Sequence, residues 1–156
     1  MSVDFDFIGS SDKPALLAVS TPEWQDTAKL ALGELGYKVH VAGNHEDFLV
    51  RFGQVQYKTV IIEELFFSGS IEENQALLAL QNMPMPQRRH AAVILLGDSF
   101  QTFNALQAFQ QSVQAVVNRA EIFLLGQLIE KTVEENEQFN HIFHDIQNRL
   151  GKEKAQ

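Results

Sequence analysis

The amino-acid sequence predicts an α/β fold in which a parallel five-stranded sheet is covered by helices on both faces. Two observations carry this expectation. Five short apolar runs alternate with five helical patterns at intervals of roughly 20 residues, the rhythm of repeated right-handed βαβ units. ALLAVS and AAVILLG are continuous apolar runs, as expected of strands buried on both faces.

Residues 1–14 mix Asp, Ser, Gly and Pro with Phe5 and Phe7 without a sustained period, and are expected to form a flexible lead. The run ALLAVS (15–20) is the first strand. Thr21 followed by Pro22 is an N-cap with proline at the first helical position, and Glu23 adds negative charge to the first turn. That helix carries Trp24, Ala28, Ala31 and Leu35 until Gly36 stops it. YKVHVA (37–42) is the second strand, after which Asn44 caps a short helix with Phe48, Leu49 and Phe52 on one side. The third strand begins at Thr59 and runs into two adjacent carboxylates, Glu63 and Glu64, before the small-residue loop FFSGS.

From Ile71 to about Met83 a helix is expected, with Ile71, Leu77, Leu78 and Leu80 as its apolar positions. MPMP ends it, because proline cannot continue the hydrogen-bond ladder. AAVILLG (91–97) is the fourth strand, FQTFNALQAFQQ (100–111) a helix and VQAVVN (113–118) the fifth strand. From about Ala120 the pattern is helical almost to the last residue.

A chain of 156 residues is one domain's worth and long enough to bury a core without staples. It contains no cysteine, which removes disulfides, thiol nucleophiles and cysteine zinc sites and suits a reducing cytoplasm. The N-terminus has no signal-peptide pattern and no apolar run approaches ~18 residues, so a cytoplasmic protein without a membrane partner is expected. Twelve Lys and Arg against 20 Asp and Glu give a net charge of −8, which opposes nucleic acid as a ligand.

Glu63 and Glu64 close a strand at the sheet edge where open α/β folds place their ligands. Of two adjacent strand-end acids one normally faces solvent, and Glu64 is assigned that place. Asp98 either caps the helix expected near Ser99 or joins Glu63 and Thr21 around a divalent cation. His141 and His144, with Asp145, supply too few ligands for a metal site, and no cofactor is assigned. Arg88, Arg89 and His90 form the only basic cluster, suited either to an acidic partner or to a helix C-terminus. No Gly-rich phosphate loop follows the first strand, where STPEW leads directly into the helix, and no nucleophile elbow is present.

Over residues 15–134 the order, spacing and wording of these segments resemble a response-regulator receiver domain, the flavodoxin-like (βα)5 module of two-component signalling. LLAVSTPEWQDTAKLALGELGYKVHVAGNHEDFLVRF reads like the receiver's first βαβα stretch. YKTVIIEE stands where the phosphoacceptor strand stands, and AVILLG and AVVNRAE where the fourth and fifth strands end. The resemblance implies a phosphoacceptor aspartate after the third strand, an acidic pair after the first that holds Mg²⁺, a Ser or Thr after the fourth and a Lys after the fifth. Those positions hold Glu63, then Ser20 and Thr21, then Leu96 or Gly97, then Arg119, so none of the expected residue types is kept.

Two neutral hydroxyls would hold Mg²⁺ poorly, and without the metal phosphoryl transfer loses its main charge stabilisation. The expectation is a degenerate site in which Arg119 pairs permanently with Glu63, on a non-catalytic pseudo-receiver that binds a protein partner through the face of its fourth helix, fifth strand and fifth helix. A phosphorylatable receiver and a small-molecule sensor using the sheet-edge crevice are the alternatives. MPMPQRRHAAVILLG and AFQQSVQAVVN also resemble an uncharacterised bacterial group of degenerate receivers, whose members often carry a zinc ribbon in front; without cysteines no ribbon is expected here.

HDIQNRL (144–150) is similar to the H-box of sensor histidine kinases, but no ATP-binding segment accompanies it. In the last helix Leu125, Ile129, Thr132, Asn136, Phe139, Phe143, Ile146 and Leu150 keep a 4-3-4-3 spacing over about 26 residues, past residue 134 where a receiver's fifth helix would finish. Residues 135–156 are therefore expected to extend the helix, and Leu125, Ile129, Asn136, Phe139, Phe143 and Ile146 to form a homodimer seam with Asn136 setting its register. Folding back onto the domain is the alternative.

Overall fold

The structure, a computed structural model, describes residues 8–155. Five parallel strands, β1 (Lys13–Ala18), β2 (Tyr37–Val41), β3 (Thr59–Glu63), β4 (Ala92–Gly97) and β5 (Ala115–Asn118), lie in the order β2-β1-β3-β4-β5. The doubly wound α/β sheet predicted from the sequence is therefore present, in flavodoxin-like order, with its topological switch between β1 and β3. The register sets Ala18 beside Ile62, Glu63 beside Leu96, and Gly97 beside Asn118. Residues 1–7 of the expected lead lie outside the described residues. β1 begins at Lys13, inside that expected lead, because Lys13 and Pro14 already pair with Tyr37 and Lys38 of β2.

Strand alternation sorts the core into two layers. Leu16, Ala18, Val60, Ile62, Val93, Leu95 and Val116 face the helices α2 (His45–Gln54) and α3 (Gln75–Asn82). Ala15, Leu17, Val19, Ile61, Ile94, Leu96 and Val117 face α1 (Pro22–Glu34) and α5 (Leu125–Ala155). Both faces are covered, which is why the central strands β1, β3 and β4 read as apolar runs, whereas the edge strand β2 carries Lys38 and His40.

Several boundaries differ from the sequence reading for a local reason. Ile71–Glu73 forms a 3-10 turn, and α3 starts only after Asn74, whose side-chain oxygen accepts from the Leu77 N–H at 3.2 Å. MPMP ends α3, and its prolines start a single helical turn, Met85–Arg88. The fourth helix, α4 (Ala105–Gln110), is shorter than expected because Asn104 caps it and Phe103 takes a φ of 65°. Residues 119–124 form a 3-10 segment before α5. Gly36 stops α1 with a φ of 84°, a left-handed turn that favours glycine.

The basic cluster is turned inward. The Arg88 guanidinium is buried and donates to the carbonyls of Leu80, in the last turn of α3, and Ser112. His90 stacks on Phe52 with ring centroids 5.5 Å apart. Arg89 lies over the Phe143 ring, 4.0 Å from its centroid. The helix-terminus reading holds for Arg88, and no free basic patch is left there for an acidic partner.

The expected dimer seam is largely occupied within the domain. Leu125 and Ile129 are fully buried in the core between α5, α1 and the sheet, because the helix must cover that face before it can reach anything else. Asn136 and Asn140, one turn apart, both donate to the Arg89 carbonyl, at 3.2 and 2.9 Å, so Asn136 is fixed by the domain itself. Phe143 is shared with Arg89. Lys58 reaches Glu137 at 2.7 Å. Lys58 and Arg89 precede β3 and β4, so α5 leaves the domain at the N-terminal end of the strands, with Phe139, Ile142, Ile146 and Leu150 exposed.

Candidate functional site

The C-terminal ends of β1, β3 and β4 meet around Glu63, at the switch point where this fold class places its ligands. Glu63 shares its side of the sheet with Ile61, which aims its carboxylate at the turn between β1 and α1. There Oε1 accepts the backbone N–H groups of Ser20, at 3.2 Å, and Thr21, at 3.0 Å. Oε2 accepts the two hydroxyls, at 3.4 and 3.1 Å. Thr21 stands at the N-cap of α1 as expected, yet its hydroxyl caps nothing and serves Glu63 instead. Glu63 thus takes up the amides that a helix N-terminus leaves unpaired, on the positive side of the helix dipole.

Glu64 is buried, not solvent-facing as its position beside Glu63 suggested. Its backbone N–H continues the ladder to the Leu96 carbonyl at 2.7 Å, which turns the side chain across the end of β4 to accept the Ser99 N–H at 3.2 Å. It passes over Gly97, the position where the resemblance implies a hydroxyl. Leu96, the other candidate there, is fully buried in the core. The two carboxylates therefore diverge, one tying down the β1–α1 turn and the other the loop after β4. Asn74, fully buried, holds the backbone between them: its amide donates to the carbonyls of Glu63 and Glu64 at 3.0 and 3.1 Å.

Arg119 does not meet Glu63. Its guanidinium forms an ion pair with Asp98 and lies 5.8 Å from the centre of the Trp24 ring. The register explains this: Gly97 and Asn118 are partners, so the next residue on each strand emerges side by side, whereas Glu63 lies a strand further away. Asp98 caps no helix, since α4 starts at Ala105. Asn118 completes the corner, donating to the carbonyls of Asp98 and Phe100 and accepting from Ala120 N–H.

Thr21, Trp24, Glu63, Glu64, Leu65, Gly97 and Asp98 line a cavity of 140 Å³. Three of those residues are carboxylates, and Arg119, the cation beside them, is already paired with Asp98. No group of three or more His, Asp or Glu side chains among the described residues is arranged to hold a metal ion. His141 pairs with Asp145 at 3.6 Å on the exposed part of α5, remote from this corner. Sequence reasoning missed Glu64, Asn74 and Asn118. An Asn immediately before a helix was the available signal for Asn74, but its second task, holding the strand end, follows only from the fold.

No protein-family model matches the chain, and no curated protein sequence matches it significantly. Solved structures do. A CheY-like response regulator receiver domain from Methanospirillum hungatei superposes with a TM-score of 0.63 at 16% identity, covering 82% of this chain and 98% of its own. A Francisella response regulator receiver domain gives 0.62 at 15% identity, covering 80% and 98%. NtrX from Brucella abortus gives 0.64 at 14% identity, covering 90% of this chain and 30% of its own. At these identities the likeness is one of fold. No helix among the described residues is long and apolar enough to cross a membrane.

Proposed function

We propose that the protein is a pseudo-receiver: a cytoplasmic signalling module of receiver shape, spanning residues 15–134 with a helical extension, that binds a protein partner without phosphoryl transfer. The observation that carries this reading is the satisfaction of Glu63, which accepts four hydrogen bonds from Ser20 and Thr21. A phosphoacceptor needs an oxygen free to attack and positive charge to stabilise the transferring group. Here both oxygens are committed, and the position of the acidic pair supplies donors for a carboxylate rather than ligands for a cation.

The neighbouring charges point the same way. A phosphoryl dianion beside Glu63 would share its cavity with the acids Glu64 and Asp98, whose like charge opposes it. The Arg119–Asp98 pair supplies no spare cation. A small-molecule sensor is disfavoured by size, since a 140 Å³ cavity is well below the roughly 300 Å³ at which ligand pockets begin.

On this reading the loops keep one state, and the face of α4, β5 and α5 is presented constitutively. Leu106 and Phe109 stand on α4 at 64% and 81% exposure, with Phe103 close by in sequence, an apolar surface suited to a protein partner. The test is incubation with a small phosphodonor and Mg²⁺ followed by intact-mass measurement. An unchanged mass is expected; an added phosphoryl group defeats the reading.

A further inference from the structure

We infer that the cavity between the C-terminal end of α2 and the Met85–Arg88 turn binds a small uncharged aromatic amide or lactam. The inference is independent of whether Glu63 accepts phosphate, because this cavity lies at the opposite end of the strands, where the chain enters β3 and β4. It measures 320 Å³, and ligand pockets begin at roughly 300 Å³. Phe52, Val55 and Met83 give it apolar walls, and His90 closes one side, stacked on Phe52 with ring centroids 5.5 Å apart. The local sequence builds the hollow. α2 ends at Gln54, and Pro84 and Pro86 turn the chain tightly ahead of β4. Gly53, between these walls, has no side chain to fill the space, and a β-carbon there would meet nothing within 4 Å.

Two features of the lining define the ligand. The first is charge. No Lys, Arg, Asp or Glu lines the cavity. Arg88 and Arg89, next to it in sequence, are turned away, one to the carbonyls of Leu80 and Ser112 and the other to the Phe143 ring. Burial holds the His90 imidazole below its ordinary value of 6.5, so at neutral pH it is uncharged as well. A charged ligand would give up hydration here without gaining a counter-charge. The second feature is unmet hydrogen bonding. The Nε2 atom of His90 is buried without a partner among the described residues, a condition that native structures seldom leave standing. Gln54, Gln56 and Gln87 bring side-chain amides to the rim, none of them bonded to another described residue. A neutral imidazole donates or accepts at Nε2 according to its tautomer. An amide or lactam carries a donor and an acceptor side by side, so it answers either tautomer and pairs with a glutamine amide along the same edge. Its ring fits the walls, since aromatic and thioether side chains pack well against flat apolar groups.

The test is titration of the 156-residue chain with benzamide, followed in proton–nitrogen correlation spectra of the backbone amides. Saturable shifts at Gly53, Gln56, Gln87 and His90 are expected, with a Kd on the order of 1 mM for a probe of this size. Benzoate and benzylammonium match its size but carry charge, and each should bind at least fivefold more weakly. His90→Phe keeps the stack and removes Nε2; it should weaken benzamide at least fivefold, with a cooperative melt showing that the domain still folds. Gln87 is exposed, so Gln87→Glu leaves the fold alone, and it should move the preference from benzamide toward benzylammonium. Four results overturn the proposal: no saturable shifts, shifts centred instead on Asn140 and His141 of α5, a charged probe held as tightly as benzamide, or an affinity indifferent to both substitutions.

Discussion

Glu64 lies across Gly97: a β-carbon at Gly97 would come within 2.6 Å of the Glu64 Cβ and 3.1 Å of its carboxyl carbon. The glycine and the acid thus share one space. A side chain at position 97 can be accommodated only if Glu64 leaves its place over the end of β4, and with it the Ser99 N–H. The corner is therefore a packed arrangement of several groups, and a change at one of them is felt by its neighbours.

Placing a hydroxyl at this position tests the arrangement directly. Gly97→Ser is expected to destabilise the fold by about 1–3 kcal/mol, the usual cost of overpacking. Joined to Glu64→Ala it should cost clearly less than the two single changes added together. Urea unfolding of the four proteins measures the coupling, and additive costs would show that the two residues do not compete for space.

Glu63 is expected to stabilise the native state through its four donors. Glu63→Ala leaves two backbone N–H groups of the β1–α1 turn without their acceptor and should cost about 2–3 kcal/mol. Glu63→Gln keeps one acceptor oxygen and should cost roughly half as much. Glu63→Asp, a methylene shorter, should fall between them. The shift in urea midpoint at constant slope gives the order; an alanine variant as stable as the parent would show that the hydrogen bonds carry no net energy.

Burial holds the His90 imidazole below its ordinary value of 6.5, in the stack with Phe52. The unfolded chain therefore takes up a proton at a higher pH than the folded one. By linkage, this contribution is intact above pH 6.5 and is lost as pH falls from there toward the lower folded value. His90→Phe keeps the stack and removes the proton site. Between about pH 7 and 5 its stability should fall less steeply than that of the parent, as measured by melts across that range. Parallel slopes would place the titration elsewhere.

The strands were legible because both faces of the sheet are buried, so TVII and AVILL each carry their position in plain composition. Asn44 was legible as a cap because a local hydrogen bond, to the Asp47 N–H at 2.7 Å, fulfils it. What stayed hidden was decided between strands. The partnering of Gly97 with Asn118 gives Arg119 to Asp98 rather than to Glu63, and no local pattern contains that register. The start of α4 was hidden because Phe100 and Phe103 continue a helical spacing although Asn104 is the true cap. In α5 the 4-3-4-3 stripe was real, but periodicity cannot say where a helix stops covering its own sheet; that division required Leu125, Ile129 and the two asparagines in place.

Two amides closing on one carbonyl, at Arg89, prevent α5 from rolling about its own axis. Beyond Phe143, which still packs against Arg89, the helix runs on at about 1.5 Å per residue as a strut of set azimuth. A partner bound along it would be held at a constant angle to the sheet, on the opposite end of the molecule from the carboxylate corner, and would leave that corner uncovered.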